Sequence, residues 1–210
     1  IPESVTSIGD AAFKCASMKE FNGKFASGDK LCLIVNNRLI QVADGIGKTL
    51  TSYTIPDGVE EIGEYTFQGY ENLTLLTIPE GVKRIGMYAF SGCSGLTEMA
   101  FPSTITNVGN FVLRDCTGIS EVYCYATTPP DTWGTVFNWA PFDVGTILRV
   151  PNASVNAYMS SSRWGHNYTI VGFDKDIYSS FDFSQDGVVT TLQTASKGNG
   201  IDVVIMGDGY

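Results

Sequence analysis

The stretch IPEGVKRIGMYAFSGCSGLTEM at residues 78–99 contains all but the last residue of one copy of the repeat that decides the fold. Consecutive copies open at Ile55, Ile78 and Phe101, which are 23 residues apart. A fixed period of this length indicates a stacked solenoid, in which each unit buries its apolar face only against its neighbours. Several further apolar slots recur at the same spacing, and we expect one of them to form a buried column of Phe67, Phe90 and Leu113.

Each copy predicts two short strands and one tight turn. Leu96 to Pro102 alternates apolar and polar residues, which favours a strand, and its proline ends the hydrogen-bonded ladder. Ile105 to Val108 predicts a second brief strand, and Met87 to Phe90 predicts a single helical turn. The predicted fold class is therefore an α/β solenoid of mostly short parallel strands with short helical turns.

An insertion interrupts the repeats near the start of the chain. The first copy opens at Ile1-Pro2, 54 residues before Ile55, which leaves an insertion at about residues 23–50. Two β-rich runs, 31–35 and 38–42, flank Asn36-Asn37, and asparagine tolerates the positive φ that a type I′ turn requires. We expect a protruding β-hairpin, serving either as a structural addition or as a binding loop.

The sequence predicts that the chain is divided into three regions. The repeats with their insertion occupy residues 1–122, a degenerate repeat or capping region follows at 123–172, and a β-rich tail at 173–210 contains a hairpin linker and the truncated first strand of a further domain. Because the chain begins with isoleucine at a repeat boundary, we expect a fragment or a trimmed form. The large aromatic residues of the capping region either form its core or present a recognition surface. The candidate binding residues are Asn36, Asn37, Arg38, Trp133 and Trp139.

Composition argues against several function classes. Thirteen basic and 22 acidic residues give a net charge of −9, which disfavours nucleic acids and anionic membranes as partners. No apolar run approaches the roughly 20 residues that span a bilayer. No nucleophile, metal set or cofactor motif is recognisable, and a zinc site is disfavoured because His166 is the only histidine. We therefore expect no catalytic residue, metal or cofactor in this chain.

The five cysteines predict a ladder of buried thiols. Cys93 and Cys116 occupy the same slot in successive repeats, and Cys15 falls near that slot. Rungs about 4.8 Å apart would place these thiols one above another. We favour buried free cysteines over a vertical disulfide, which the distance alone would permit.

The repeat resembles the BspA-type leucine-rich repeat. Residues 78–99 show the pattern best, and the resemblance extends over about residues 1–172, including YCYATTPP at 123–130 and VPNASVNAY at 150–158. It implies a right-handed solenoid with parallel sheets. It also implies an extracytoplasmic, secreted or cell-surface adhesion module that recognises a host or extracellular-matrix protein, and it supplies no universal contact residues.

A second resemblance concerns the tail. Residues 186–210 are similar to the entry into an IgA-peptidase-type zinc metallopeptidase domain, without any of the zinc ligands. This resemblance implies an alternative role, in which the chain is the N-terminal targeting arm of a zinc peptidase whose catalytic domain lies beyond Tyr210. The two roles are compatible.

Overall fold

The computed structural model describes residues 1–2, 4–13, 18–43, 45, 48–132, 146–164 and 169–174. One short helix lies in this part of the chain, α1 at Val155–Ser160, directly after a 3-10 turn at Asn152–Ser154. The strands are β1 (Cys32–Val35), β2 (Arg38–Val42), β3 (Ser52–Thr54), β4 (Glu61–Ile62), β5 (Leu75–Thr77), β6 (Arg84–Ile85), β7 (Glu98–Phe101), β8 (Asn107–Val108), β9 (Glu121–Cys124), β10 (Ile147–Pro151) and β11 (Thr169–Phe173).

The strands stack into parallel ladders, as the 23-residue period predicts. The first sheet has the order β1-β2-β4-β6-β8, and the second has the order β11-β10-β9-β7, while β3 pairs with β5. Every strand pair is parallel except β1 with β2. Ile62 lies opposite Ile85, which lies opposite Val108, so each rung advances by one repeat. The described residues therefore form a leucine-rich-repeat type of solenoid with little helix.

The predicted column of inward-facing side chains lies at the centre of the core. Phe67, Phe90 and Leu113 are each 0% exposed. The rings of Phe67 and Phe90 have their centroids 5.6 Å apart. The apolar strand residues Ile62, Ile85 and Val108 belong to the same buried cluster, so the inward face of the repeat is confirmed.

The predicted helical turn at Met87 to Phe90 is wrong. Tyr88 has a φ of 56°, which is left-handed and cannot continue a right-handed helical turn. The amide of Phe90 donates to the carbonyl of Val112 at 3.0 Å, and the amide of Phe67 donates to Ala89 at 2.7 Å. Successive turns thus hydrogen-bond to each other, and this stacking takes the place of a local helix.

The hairpin is present, but it does not protrude. Asn36 and Asn37 adopt φ values of 51° and 61°, as the type I′ turn requires, and β2 pairs with β4 as a regular rung. One side of the hairpin joins the main core through Cys32, Leu39 and Val42. The other side packs against the first repeat through Leu33, Val35, Ile40 and Ala43. Both faces of the two strands are apolar, so the strands are buried between two clusters while the turn at Asn36 and Asn37 stays exposed, which corrects the expectation of a protruding hairpin.

The described part of the capping region closes the main core. The predicted helix at Val155 to Tyr158 is confirmed as α1, and Tyr158 is fully buried. Trp164 is also fully buried, and its indole nitrogen donates to the carbonyl of Pro130 at 2.8 Å. The proposed region boundaries stay predictions, and the tail after Asp174 lies outside the described residues.

Replacing Phe90 with alanine is expected to destabilise the fold by about 3–5 kcal/mol, because it removes a ring from a fully packed rung. Urea unfolding followed by circular dichroism measures this loss. Leu75, which is 53% exposed, is the matched control, and its change to alanine should have a small effect. A Phe90→Ala loss below about 1 kcal/mol would show that the inward face is misassigned.

Replacing Gly118 with alanine is expected to destabilise the fold by about 1–3 kcal/mol, because a Cβ there would lie 2.6 Å from the carbonyl oxygens of both Ser94 and Leu96 on the preceding rung. The control is Gly28→Ala, whose Cβ would meet no atom within 4 Å. Thermal unfolding of both variants measures the difference. Equal melting temperatures for the two variants would contradict the close approach of neighbouring turns.

Candidate protein-binding surface

A ladder of charged side chains lies along the outer side of the first sheet. The register places Arg38 opposite Glu61 and Glu61 opposite Arg84. Arg38 Nε lies 2.7 Å from Glu61 Oε1, and Arg84 lies 2.6 Å from Glu61 Oε2, while Asp10 pairs with Arg38 from the other side. We call Asp10, Arg38, Glu61 and Arg84 the charge ladder. Exposed ion pairs contribute only about 0–1 kcal/mol each, so the main effect of the ladder is to fix side-chain positions.

The alternation of charge ends on the next two rungs. Asn107 lies opposite Arg84 and carries no charge. Asp131 forms an isolated parallel bridge with Asn107. The carbonyl of Asp131 accepts from Val108 at 2.9 Å, and its amide donates to Thr106 at 2.8 Å. The backbone of Asp131 therefore extends the first sheet by one partial rung, and its side chain is the next member of the outer column.

A groove runs beside this column over five successive rungs, the last of which is the partial rung of Asp131. Its volume is about 370 Å³, and part of its lining comes from Arg38, Glu61, Arg84, Asn107 and Asp131. The residues of the following turns complete the lining, among them Glu64, Met87 and Asn110. A second cavity of about 360 Å³ shares Asn107 and Asp131 with the first and is also lined by Arg163.

Stacked aromatic rings occur on the turns directly after three of the residues that line the groove. Tyr65, Tyr88 and Phe111 come directly after the lining residues Glu64, Met87 and Asn110 in the sequence. The centroids of Tyr65 and Tyr88 are 5.3 Å apart, and those of Tyr88 and Phe111 are 5.0 Å apart, with interplanar angles of 6° and 22°. We call these three residues the aromatic ladder. The guanidinium of Arg114 lies 6.0 Å from the ring centroids of both Tyr88 and Phe111.

The aromatic ladder occupies a backbone position that favours glycine or asparagine. Tyr65, Tyr88 and Phe111 have φ values of 59°, 56° and 57°. The left-handed conformation costs a side-chain-bearing residue about 1–2 kcal/mol. Each stacked ring pair contributes about 0.5–1.5 kcal/mol, which is similar in size. The local backbone does not call for aromatic residues here, and strained positions of this kind occur preferentially at functional sites.

Three acceptor groups of the groove have no hydrogen-bond partner among the residues that the structure describes. Within the described part of the chain, the side chains of Glu64 and Asp131 form no hydrogen bond or ion pair. The side-chain oxygen Oδ1 of Asn110 is buried and likewise accepts no hydrogen bond from a described residue. A buried acceptor without a donor costs about 1–3 kcal/mol, and this cost applies to Asn110 Oδ1, while Glu64 is partly exposed and Asp131 is exposed to solvent.

The described cysteines are structural. Cys32, Cys93, Cys116 and Cys124 are free and buried, as the ladder prediction expects, while Cys15 lies outside the described residues. The thiols of Cys93 and Cys116 donate to the carbonyls of Phe67 and Phe90 at 3.1 Å. Burial raises the pKa of Cys32 and of Cys116 to about 12, so neither is a thiolate at neutral pH. No group of three or more metal-ligating side chains occurs among the described residues.

A second aromatic cluster lies on the outer side of the second sheet. Arg149 donates to both carboxylate oxygens of Glu121, at 2.9 and 2.7 Å, and its guanidinium lies 5.8 Å from the ring of Tyr123. Hydrogen bonds from Arg149 and Tyr123 lower the pKa of Glu121. Arg149 and Arg84 are thus similar arginines on different sheets, each held by one glutamate.

The structure brings part of the predicted site to the groove. Arg38 lines it directly, and the side chain of Asn37 donates to Glu60 at 3.4 Å, next to the charge ladder. Asn36 donates to the carbonyl of Thr6 at 3.2 Å and remains exposed. Trp133 and Trp139 lie outside the described residues, and all five stay predictions as contact residues. Sequence reasoning missed the aromatic ladder, although its 23-residue spacing was available as a signal.

Comparison with known proteins supports the repeat assignment. Residues 46–129 match the sequence profile of the BspA type leucine rich repeat region in six copies. No curated protein has significant sequence similarity to the chain. No described helix has the length and apolar character needed to cross a membrane.

Solved structures of bacterial leucine-rich repeat proteins are similar to this chain. A leucine rich cell surface protein from Faecalibacterium prausnitzii A2-165 matches with a TM-score of 0.48 and 19% identity, covering 70% of this chain and 38% of that protein. The T. pallidum leucine rich repeat protein matches with a TM-score of 0.45 and 16% identity, covering 75% of this chain and 84% of that protein. A leucine-rich repeat protein from Eubacterium ventriosum ATCC 27560 matches with a TM-score of 0.45 and 22% identity, covering 80% of this chain and 45% of that protein.

This chain therefore spans well under half the length of the F. prausnitzii protein. The residues that carry the profile match are the ones whose rungs build the solenoid. The chain contains a BspA-type leucine-rich repeat region, matched at residues 46–129.

Proposed function

We propose that this chain is a non-catalytic protein-binding module of a secreted or cell-surface protein, and that it recognises a host or extracellular-matrix protein. The leucine-rich repeat family suggests a protein-interaction role, and the fold is typically non-catalytic. The buried thiols of the described residues, with their raised pKa values, offer no activated nucleophile.

The observation that carries this proposal is the groove along the first sheet. It spans five rungs, and the charge ladder holds its side chains in place through Glu61, which pairs with both Arg38 and Arg84. A surface whose side chains are already ordered loses less entropy on binding, which favours affinity. Arginine is also among the residues most enriched at binding hot spots, and Arg38 and Arg84 both line this groove.

The peptidase alternative stays a prediction. It rests on residues 186–210, which lie outside the described part of the chain, and no described residue bears on it. An H-E-x-x-H motif encoded downstream of Tyr210 in the gene would support it.

Saturable binding to at least one purified extracellular-matrix or mucosal protein is expected, with a Kd of about 10 μM or below. Surface plasmon resonance with the full 210-residue chain immobilised measures it. Replacing Glu61 with alanine should weaken this binding about tenfold, because it removes a groove carboxylate and the side chain that holds both Arg38 and Arg84 in place.

The matched control is Glu121→Ala, which removes a glutamate that is similarly paired with an arginine, Arg149, on the second sheet. Its binding should stay close to that of the unchanged chain. Failure of every protein in the panel to bind at micromolar concentration would overturn the proposed function. Equal losses for the two variants would place the binding surface elsewhere.

A further inference from the structure

We infer that the groove along the first sheet takes an extended, basic segment of the protein partner, with one cationic side chain at Glu64 and another at Asn110 and Asp131, three rungs further along. This inference rests on the proposed protein-binding function and adds the chemistry of the partner. Its first support is the charge balance of the groove lining.

The charge ladder is neutral within itself. The two arginines, Arg38 and Arg84, are matched by the two carboxylates of Asp10 and Glu61. The remaining charged side chains of the groove lining are Glu64 and Asp131, and neither has a partner among the described residues. The groove thus presents two unmatched negative charges to a ligand.

The third group without a partner among the described residues, Asn110 Oδ1, also favours a ligand that donates hydrogen bonds. Asn110 Oδ1 is a buried acceptor in the same lining, and no described residue donates to it. Lysine and arginine side chains carry several donors and no acceptor, so they satisfy carboxylates and an amide oxygen together. An acidic segment would instead place further hydrogen-bond acceptors and further negative charge next to these groups.

The aromatic ladder favours a polypeptide with basic side chains over a sugar. The rings of Tyr65, Tyr88 and Phe111 stack on one another, so they cover each other's faces and leave little flat area on which a pyranose could lie. A guanidinium does fit against this ladder, because Arg114 of the chain itself already lies 6.0 Å from two of its rings.

The net charge of the chain also favours a basic partner. At −9, the chain attracts cationic partners over long range and repels anionic ones. Attraction of this kind raises the association rate and suppresses wrong partners more than it raises affinity.

The distance between rungs determines how far apart the basic residues of the partner segment should lie. The rung of Glu64 and the rung of Asp131 are separated by three steps of the first sheet, through the rungs of Arg84 and Asn107. At about 4.8 Å per step this is about 14 Å, and an extended chain advances about 3.3 Å per residue. A basic side chain at every fourth residue therefore matches the two carboxylates.

The test uses three repeats of Lys-Ser-Thr-Ser as the probe, and the same peptide with glutamate in place of lysine as its counterpart. Nuclear magnetic resonance titration of the full isotope-labelled chain measures both affinity and location. We expect the basic peptide to shift the amide signals of Arg84 to Met87, Asn107 to Asn110 and Asp131, and the acidic peptide to bind at least about tenfold more weakly.

A variant with Glu64→Gln and Asp131→Asn should bind the basic peptide about fivefold more weakly, since it loses two exposed charge contacts. The control variant, Glu71→Gln with Glu98→Gln, removes two exposed charges outside the groove lining and should keep its affinity within about twofold. Unchanged melting temperatures show that both variants are folded.

Several results would overturn the inference. These are no shift with the basic peptide, equal affinity for the acidic peptide, shifts outside the groove, or an equal loss in the control variant. A matrix protein that binds the chain with affinity unaffected by Glu64→Gln and Asp131→Asn would also overturn it, while leaving the proposed protein-binding function intact.

Discussion

The stacking of one rung on the next is the constraint on which the structure depends. A rung in this chain is too short to enclose a core, since strands such as Arg84–Ile85 contain two residues. Each rung satisfies its amides and buries its apolar side only through its neighbours, as the register of Ile62, Ile85 and Val108 illustrates. The same register aligns the outward residues into columns. The charge ladder and the aromatic ladder are therefore consequences of the repeat spacing.

The ends of such a stack need other means of covering their apolar faces. Near the beginning of the chain, the hairpin of β1 and β2 contacts the main core on one side and the cluster around Phe21 on the other. At the far end, Tyr158 and Trp164 bury their rings against the last described rungs. The hairpin also contributes Arg38, so the element that separates the two clusters supplies one rung of the charge ladder.

Sequence periodicity predicted the parts of the fold that repeat. The column of Phe67 and Phe90, the buried cysteine slot and the turn at Asn36-Asn37 follow from spacing or local chemistry. The left-handed turn at Tyr88 could not be predicted, because its conformation is stabilised by hydrogen bonds to the next rung and not by local preference. The hairpin was placed wrongly because its two apolar faces were read without their packing partners. The groove required the register, which brings Arg38, Glu61 and Arg84 together across 23-residue intervals.

Deletion of residues 78–100 tests the stacking register most directly. This removes one 23-residue repeat and joins Thr77 to Phe101, so the repeat that begins at Phe101 takes the place of the one that began at Ile78. A register-based solenoid predicts that the shortened chain keeps cooperative thermal unfolding and a folded circular dichroism spectrum. Deletion of residues 78–99, one residue fewer, should abolish cooperative unfolding because it displaces every following inward side chain. Equal behaviour of the two deletions would contradict the account.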